Sequence, residues 1–189
     1  MDRTALAGTA ALVTGAGRGV GAAVARTLAA AGARVAVLDR DAAAARAVAA
    51  GLDRAIACTA DVFDGDAVED AVERAERELG PIGLLVNVAG IERSLTVNAT
   101  GVFLVSRAVA RRMVPRRTGS IVTVAAEGAR VPRARLTPCA ASTATAAQFT
   151  RCLDVELAEY GIRCEVVPVD RALTGVLAAT RRAPELLLR

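Results

Sequence analysis

Apolar runs alternate with helical patterns from one end of the chain to the other, and a glycine-rich turn follows the first run. Together these predict a doubly wound, Rossmann-like α/β domain with a parallel sheet of strand order 3-2-1-4-5-6. A third observation fits the same fold: Asp39 closes the apolar run Ala33 to Leu38, eighteen residues after Gly21, where a dinucleotide-binding unit holds an adenosine ribose. No linker interrupts the alternation and nothing repeats internally, so residues 1–189 read as one domain. A hydrophobic content of 53% and a mean hydropathy of +0.39 place the chain among globular proteins and away from disorder.

The elements follow in order. The first strand is expected at Ala10 to Thr14 and the first helix at Val20 to Ala31, stopped by Gly32. Strand 2 is Arg34 to Leu38. The alanine-rich stretch Ala42 to Ala50 favours a surface helix ending at Gly51, and a weaker strand, Ala55 to Thr59, leads to Asp61 and Val62. Helix 3 is expected to begin near Asp66, which with Glu69 makes an N-cap pair; Val68, Ala71, Val72, Ala75 and Leu79 share one face before Gly80 and Pro81 end it. Strand 4 is Gly83 to Val88, helix 4 runs from near Asn98 to just before Pro115, and strand 5 is Ser120 to Val124. A long loop reaches Pro138, helix 5 spans Ala140 to Ala158, and strand 6 is Arg163 to Val167.

The organising stretch is Leu12 to Gly21, LVTGAGRGVG, with spacing TGxxxGxG. Gly15, Gly19 and Gly21 let the backbone turn tightly and approach a ligand, and the following helix aims its free N–H groups and positive dipole end at that ligand. A pyrophosphate fits that description.

Charge and composition exclude several functions. The formal charge of +4 comes from 24 basic and 20 acidic residues that are interspersed, which argues against a nucleic-acid partner. The densest basic cluster, Arg111, Arg112, Arg116 and Arg117 around Pro115, reads as a solvated face or a helix stop. No apolar run has the length of a membrane span and MDRTALAG lacks the order of a signal peptide, so the expected location is cytoplasmic, without a membrane partner. Cys58, Cys139, Cys152 and Cys164 form no CxxC pair, against a zinc site or disulfide framework, and are expected to be reduced thiols. The chain has no His, one Tyr and no Lys, every basic residue being Arg, so few groups can move a proton near neutral pH.

TGAGRGVG after strand 1, Asp39 after strand 2, Asp61 and Val62, NVAG at 87–90 and the pair Val97 and Asn98 together resemble the short-chain dehydrogenase/reductase family. Within it, LLVNVAG, the segment from Val97 to Val124 and the segment from Gln148 to Val167 are most similar to members that aromatise a cyclohexadiene diol to a catechol with NAD, for siderophore biosynthesis. The resemblance implies NAD as cofactor, a dihydrodiol-type small molecule as substrate and hydride transfer as the reaction. It places Gly15, Arg18, Gly19, Val20 and Gly21 at the pyrophosphate and Asp39 at the adenosine ribose. Asp61 and Val62 then fall at the adenine, Asn87, Ala89 and Gly90 at the nicotinamide half, and Thr174 near the cofactor. A carboxylate at 39 accepts from both ribose hydroxyls and repels a 2′-phosphate, favouring NAD over NADP, with Arg40 beside it acting the other way.

The chain departs from the family where the chemistry lies. The family uses a Ser, a Tyr thirteen residues later and a Lys four beyond it, with an Asn from helix 4. The matching positions are Ala126, Cys139 and Thr143, with the spacing kept and the reacting groups gone. Tyr160 lies before strand 6 and there is no lysine, so no YxxxK pair exists in the chain. Asn98 survives, and reads better as the N-cap of helix 4 than as a proton relay. Cys139 could stand in as an acid, but has no neighbouring cation in the sequence. Between Gly90 and Val97 the chain is shorter than the resemblance leads one to expect, and Val169 and Asp170 replace an expected ProGly. The tail from Ala172 to Arg189 is too short for both substrate-covering helices and a seventh strand, which would leave one sheet edge exposed or covered by a partner.

The expectation is therefore a pseudoenzyme that keeps nucleotide binding, or a non-catalytic partner of an intact dehydrogenase subunit. In the resembled family helices 4 and 5 pack against symmetry mates. Here Val102, Val105, Val109 and Met113 form a stripe on helix 4, and Ala144, Ala147, Phe149, Cys152, Leu153 and Leu157 a broader set on helix 5. A homodimer or heterodimer through these helices is expected.

Overall fold

The computed structural model describes residues 5–88, 97–126 and 137–181. Strands β1 (Ala10–Thr14), β2 (Arg34–Asp39), β3 (Ala55–Thr59), β4 (Ile82–Val88), β5 (Gly119–Ala125) and β6 (Ile162–Pro168) form one sheet. Its order is β3-β2-β1-β4-β5-β6 and every pairing is parallel, as the alternating pattern predicts. Helices α1 (Gly19–Ala30), α2 (Ala42–Ala50), α3 (Gly65–Leu79), α4 (Val102–Arg116), α5 (Thr137–Leu157) and α6 (Ala172–Arg181) cover both faces.

Coverage on both sides explains the strand sequences. All five residues of β1 are buried, so it reads as a continuous apolar run instead of an alternating one. On one face Val13, Val35, Val37, Leu84 and Val86 pack with Val24 and Leu28 of α1, Val48 of α2 and Val176 of α6. On the other, Leu12, Leu38, Leu85 and Ile121 pack with Val68 and Val72 of α3 and Val105, Val109 and Met113 of α4. The stripe on helix 4 thus faces the chain's own core.

Three local expectations are corrected. The N-cap of α3 is Asp64, whose Oδ1 accepts from the N–H groups of Asp66 (3.1 Å) and Ala67 (3.0 Å), so the Asp66/Glu69 pair is not the cap. Two aspartates in Asp64-Gly65-Asp66 can each cap, and the earlier one wins because the chain is already helical at Gly65. Helix α4 runs through Pro115 to Arg116: in the last turn a proline forfeits one hydrogen bond, and left-handed Arg117 (φ 50°) ends the helix. The arginines beside Pro115 are not simply solvated. Arg112 Nη1 meets Glu69 Oε2 at 2.7 Å and Arg116 Nη1 meets Glu76 Oε1 at 2.8 Å, while Arg116 Nη2 donates to the Ile82 carbonyl. Both guanidiniums therefore tie α4 to α3, Arg116 also reaching the start of β4, while Arg111, 66% exposed and 3.9 Å from Glu69, and the exposed Arg117 lie nearer to a solvated face.

After β6 a short turn, Val169–Arg171, leads straight into α6, which buries Ala172, Val176 and Ala179 on the α1 side of the sheet. Gly175 allows the close approach, since a Cβ there would lie 2.5 Å from Val167 Cγ1. Among the described residues β6 pairs on one side only, and no helix is long and apolar enough to cross a membrane.

The thiols differ in environment. Cys58 and Cys164 are buried, Cys139 is half-buried and Cys152 is exposed. Burial, and then the charge of Asp154, push the Cys164 thiol from 9.0 up to about 12, and burial also raises Cys58. We expect thiol reagents to label native Cys152 first and Cys139 more slowly, with Cys58 and Cys164 labelled only on unfolding; mass spectrometry of labelled protein checks this. The unfolded chain loses the Cys164 proton near 9.0 while the native chain keeps it to about 12, so stability falls as pH rises through that window. Urea midpoints should drop across it, and Cys164→Ala should flatten the drop.

Candidate functional site

Because all six strands are parallel, their carboxyl ends share one edge of the sheet. The turn after β1, Asp39 at the end of β2, Asp61 and Val62 after β3, Asn87 near the end of β4 and Ala126 after β5 all lie along it. The sequence motifs, scattered over more than a hundred residues, are thus brought onto one rim.

The glycine turn is built by two different requirements. Gly15 (φ 61°) and Gly19 (φ 53°) are left-handed, a conformation that side chains disfavour. Gly21 is needed for contact instead: a Cβ there would lie 2.1 Å from the Gly15 carbonyl oxygen, so only a glycine lets α1 start this close beneath the turn. Arg18 is the N-cap of α1 and its side chain makes no capping hydrogen bond, so no side chain caps the first-turn amides from this position. Val20 is half-buried against the core.

Asp39 is only 6% exposed. Its Oδ2 accepts from the Gly17 N–H (2.9 Å) and its Oδ1 from the Asp41 N–H (3.0 Å). Two of a carboxylate's roughly four acceptor positions are thereby used, which fixes the group's plane and leaves the others for a ligand. Arg40 is exposed beside it. The Ala44 amide, ahead of the Ala43 amide and the charges of Arg18 and Arg46, holds the neighbouring Asp41 carboxyl below its ordinary value. Asp61 is exposed, its Oδ1 taking the Phe63 N–H, and Val62 is half-buried against Gly101, where a Cβ would lie 2.6 Å from Val62 Cγ2.

Asn87 is 1% exposed and its Nδ2 donates to Ser106 Oγ of α4 (3.0 Å). Its Oδ1 has no hydrogen-bond partner among the described residues, an acceptor that a water or bound group would satisfy. Thr14 Oγ1 accepts from the Val88 N–H, which fastens the end of β4 to β1. Ala89 and Gly90 lie outside the described residues.

Asn98 corrects the sequence reading. It does not cap α4; it lies within a π-turn, Val97–Gly101, that precedes the helix, is 1% exposed, and donates from Nδ2 to Ser142 Oγ of α5 (3.0 Å). The wider turn swings its side chain inward between α4 and α5, where a cap would have stayed on its own backbone.

On α5, Cys139 and Thr143 lie one turn apart and their side chains approach to 4.0 Å. Thr143 is fully buried and its hydroxyl donates to the Cys139 carbonyl (2.6 Å), as does Ser142 (3.0 Å). These hydroxyls are thus turned back onto their own helix. Ala126 brings no polar group, and Thr174 is exposed in α6 with its hydroxyl 3.4 Å from the Arg171 carbonyl. Tyr160 sits beyond the far end of the 21-residue α5, roughly 30 Å along from Cys139, beneath the Arg117 guanidinium. Gly17 and Ser142 are site residues the sequence reading does not single out: TGxxxGxG treats position 17 as free, and Ser142 falls between the motif positions 139 and 143.

Residues 9–184 match the family model described as short chain dehydrogenase. The chain is 44% identical over 185 residues to 2,3-dihydro-2,3-dihydroxybenzoate dehydrogenase of Bacillus subtilis (strain 168), covering 88% of this chain and 71% of that protein. It is 35% identical over 179 residues to inactive 2-(S)-hydroxypropyl-CoM dehydrogenase 2 of Xanthobacter autotrophicus (strain ATCC BAA-1158 / Py2), covering 87% and 76%. Among solved structures, 3-ketoacyl-(acyl-carrier-protein) reductase from Brucella melitensis complexed with NADH superposes with a TM-score of 0.81 at 34% identity, covering 85% of this chain and 75% of that one.

Proposed function

The chain belongs to the short chain dehydrogenase family, and on that premise we propose that it binds NAD in preference to NADP and has lost the family's hydride-transfer chemistry. One observation carries the second half: at positions 139 and 143, where the family's acid and its tuning cation would stand, there is a half-buried thiol and a hydroxyl committed to a backbone carbonyl. A relative whose own name describes it as inactive supports such a loss within the family.

The residues present fit a dinucleotide. The left-handed turn with Gly15, Arg18, Gly19, Val20 and Gly21 would hold the pyrophosphate at the start of α1, and the two remaining acceptor positions of Asp39 suit the adenosine ribose hydroxyls. Asp61 and Val62 would border the adenine and Asn87 the nicotinamide half, with Ala89, Gly90 and Thr174 assigned by resemblance alone. When bound, the nicotinamide would supply a hydride acceptor. What is missing is a group to take the substrate's hydroxyl proton: Ala126 has none, Thr143 is turned away, and Asn98 is held by Ser142 as a strut between α4 and α5. Loss of one proton-transfer group lowers a rate roughly 10²- to 10⁴-fold, and here the set is absent.

The test is NAD titration by calorimetry together with an assay for NADH formation from 2,3-dihydro-2,3-dihydroxybenzoate. We expect binding without turnover. Steady NADH formation that Cys139→Ser abolishes would instead make Cys139, as its thiolate, the group that takes the substrate's hydroxyl proton.

A non-catalytic partner role is favoured by one further observation. Phe103 is 42% exposed, stacks edge-on against Phe149 of α5 at 5.9 Å and carries the Arg107 guanidinium over its ring. This outer face of α4 and α5 would receive a second copy or an intact dehydrogenase subunit. Light scattering is expected to give a dimer, and a monomer that takes up no such subunit would remove this reading.

A further inference from the structure

We propose that Gly17 is a specificity-determining residue: having no side chain, it lets the Asp39 carboxylate close onto the glycine turn and so sets the preference for an adenosine with a free 2′-hydroxyl. This rests on the nucleotide-binding reading above.

Position 17 is a slot with two walls. A Cβ there would lie 2.9 Å from Asp39 Oδ2, 3.0 Å from Asp39 Cγ and 2.9 Å from Ala44 Cβ. Gly17 is not among the left-handed glycines, so its backbone tolerates an alanine and the obstruction is contact alone. One wall cannot give, because Ala44 belongs to the first turn of α2, whose N-cap Asp41 accepts from the Ala43 and Ala44 amides. The other is a short side chain with two rotatable bonds. A small tilt of the turn away from Ala44 is common to both ligands, and the Asp39 carboxylate is the group that rotates out of the way.

Its present orientation depends on the slot staying empty of a side chain. Gly17 N–H to Oδ2 and Asp41 N–H to Oδ1 hold the carboxylate plane between the turn and α2. In that plane the remaining acceptor positions can take two neighbouring hydroxyls at once, and a rotated carboxylate can take at most one. A ligand with a 2′-phosphate makes no such double contact, and moving the carboxylate away relieves a like-charge repulsion. A side chain at 17 therefore weakens one dinucleotide and spares the other.

The experiment is a double-mutant cycle of Gly17→Ala and Asp39→Ala, titrated calorimetrically with NAD and NADP. In the Asp39 background Gly17→Ala should weaken NAD about tenfold and leave NADP within about twofold or tighter, from loss of one charge-assisted hydrogen bond. In the Asp39→Ala background only the Ala44 contact remains, so it should leave the ratio of NAD to NADP affinity unchanged, because the group whose displacement discriminates them is gone. Equal weakening of both ligands, or the same loss in both backgrounds, would overturn the inference. If Gly17→Ala alone fails to fold, recovery of the fold in the Asp39→Ala background supports the contact and failure in both refutes it. A parent chain that binds neither dinucleotide sinks the nucleotide-binding reading, whereas a parent that binds NAD beside a Gly17→Ala chain with unchanged preference sinks only this proposal.

Discussion

Gly21→Ala will abolish measurable NAD binding and destabilise the fold by about 3 kcal/mol, the upper end for forcing an extra carbon into a packed site. The new Cβ would lie 2.1 Å from the Gly15 oxygen, 2.7 Å from the Gly15 carbonyl carbon and 3.0 Å from Ala16 Cα, all backbone atoms with no rotamer to escape through. Either α1 must withdraw from the turn or the turn must open, and both spoil the alignment of first-turn amides that would receive a pyrophosphate. Gly19 makes the comparison. A Cβ there has no neighbour within 4 Å, so Gly19→Ala meets only left-handed strain, about 1 kcal/mol. Urea unfolding should rank Gly21→Ala well below Gly19→Ala. The opposite order would mean that backbone conformation, not close packing, is what the motif protects.

The difference between these glycines shows what can be read from residues and what needs coordinates. The parallel, doubly wound sheet was legible because unbroken apolar runs separated by helical periods admit few topologies, and Gly15 and Gly51 mark the ends of β1 and α2. Asp39 was legible for the same reason, since a polar residue ending a buried run falls on the carboxyl edge. Gly17 was not: its importance comes from Asp39 and Ala44 closing around it, a contact across twenty-two residues that no local spacing encodes. Asn98 shows the opposite error. Local propensity favours an asparagine as a cap, and a tertiary partner, Ser142, forty-four residues away, draws it inward into a π-turn. The arginines around Pro115 were misread likewise, because Glu69 and Glu76 belong to a different helix.

Restoring Ser, Tyr and Lys together, as Ala126→Ser, Cys139→Tyr and Thr143→Lys, should raise NAD-dependent oxidation of the dihydrodiol at least about 10²-fold over the parent, within the range one positioned proton-transfer group supplies. The positions keep their relative placement: 126 follows β5 at the carboxyl edge, and 139 and 143 stack one turn apart on α5 with side chains that already approach to 4.0 Å. Cys139→Tyr alone should give nothing, because a phenol with an ordinary value near 10 is a poor base at neutral pH without a cation to lower it. Thr143→Lys alone should be worse than neutral. Thr143 is fully buried, so a lone ammonium there lacks a partner and would lower stability by a few kcal/mol. The phenol at 139 is what gives that charge a neighbour, so the pair should be less destabilised than the sum of its singles. Initial rates, melting temperatures and NAD affinity measured on the singles, the pair and the triple chain separate the steps. A triple chain that binds NAD as tightly as the parent yet shows no NADH formation would place the defect in the cleft beyond these three positions.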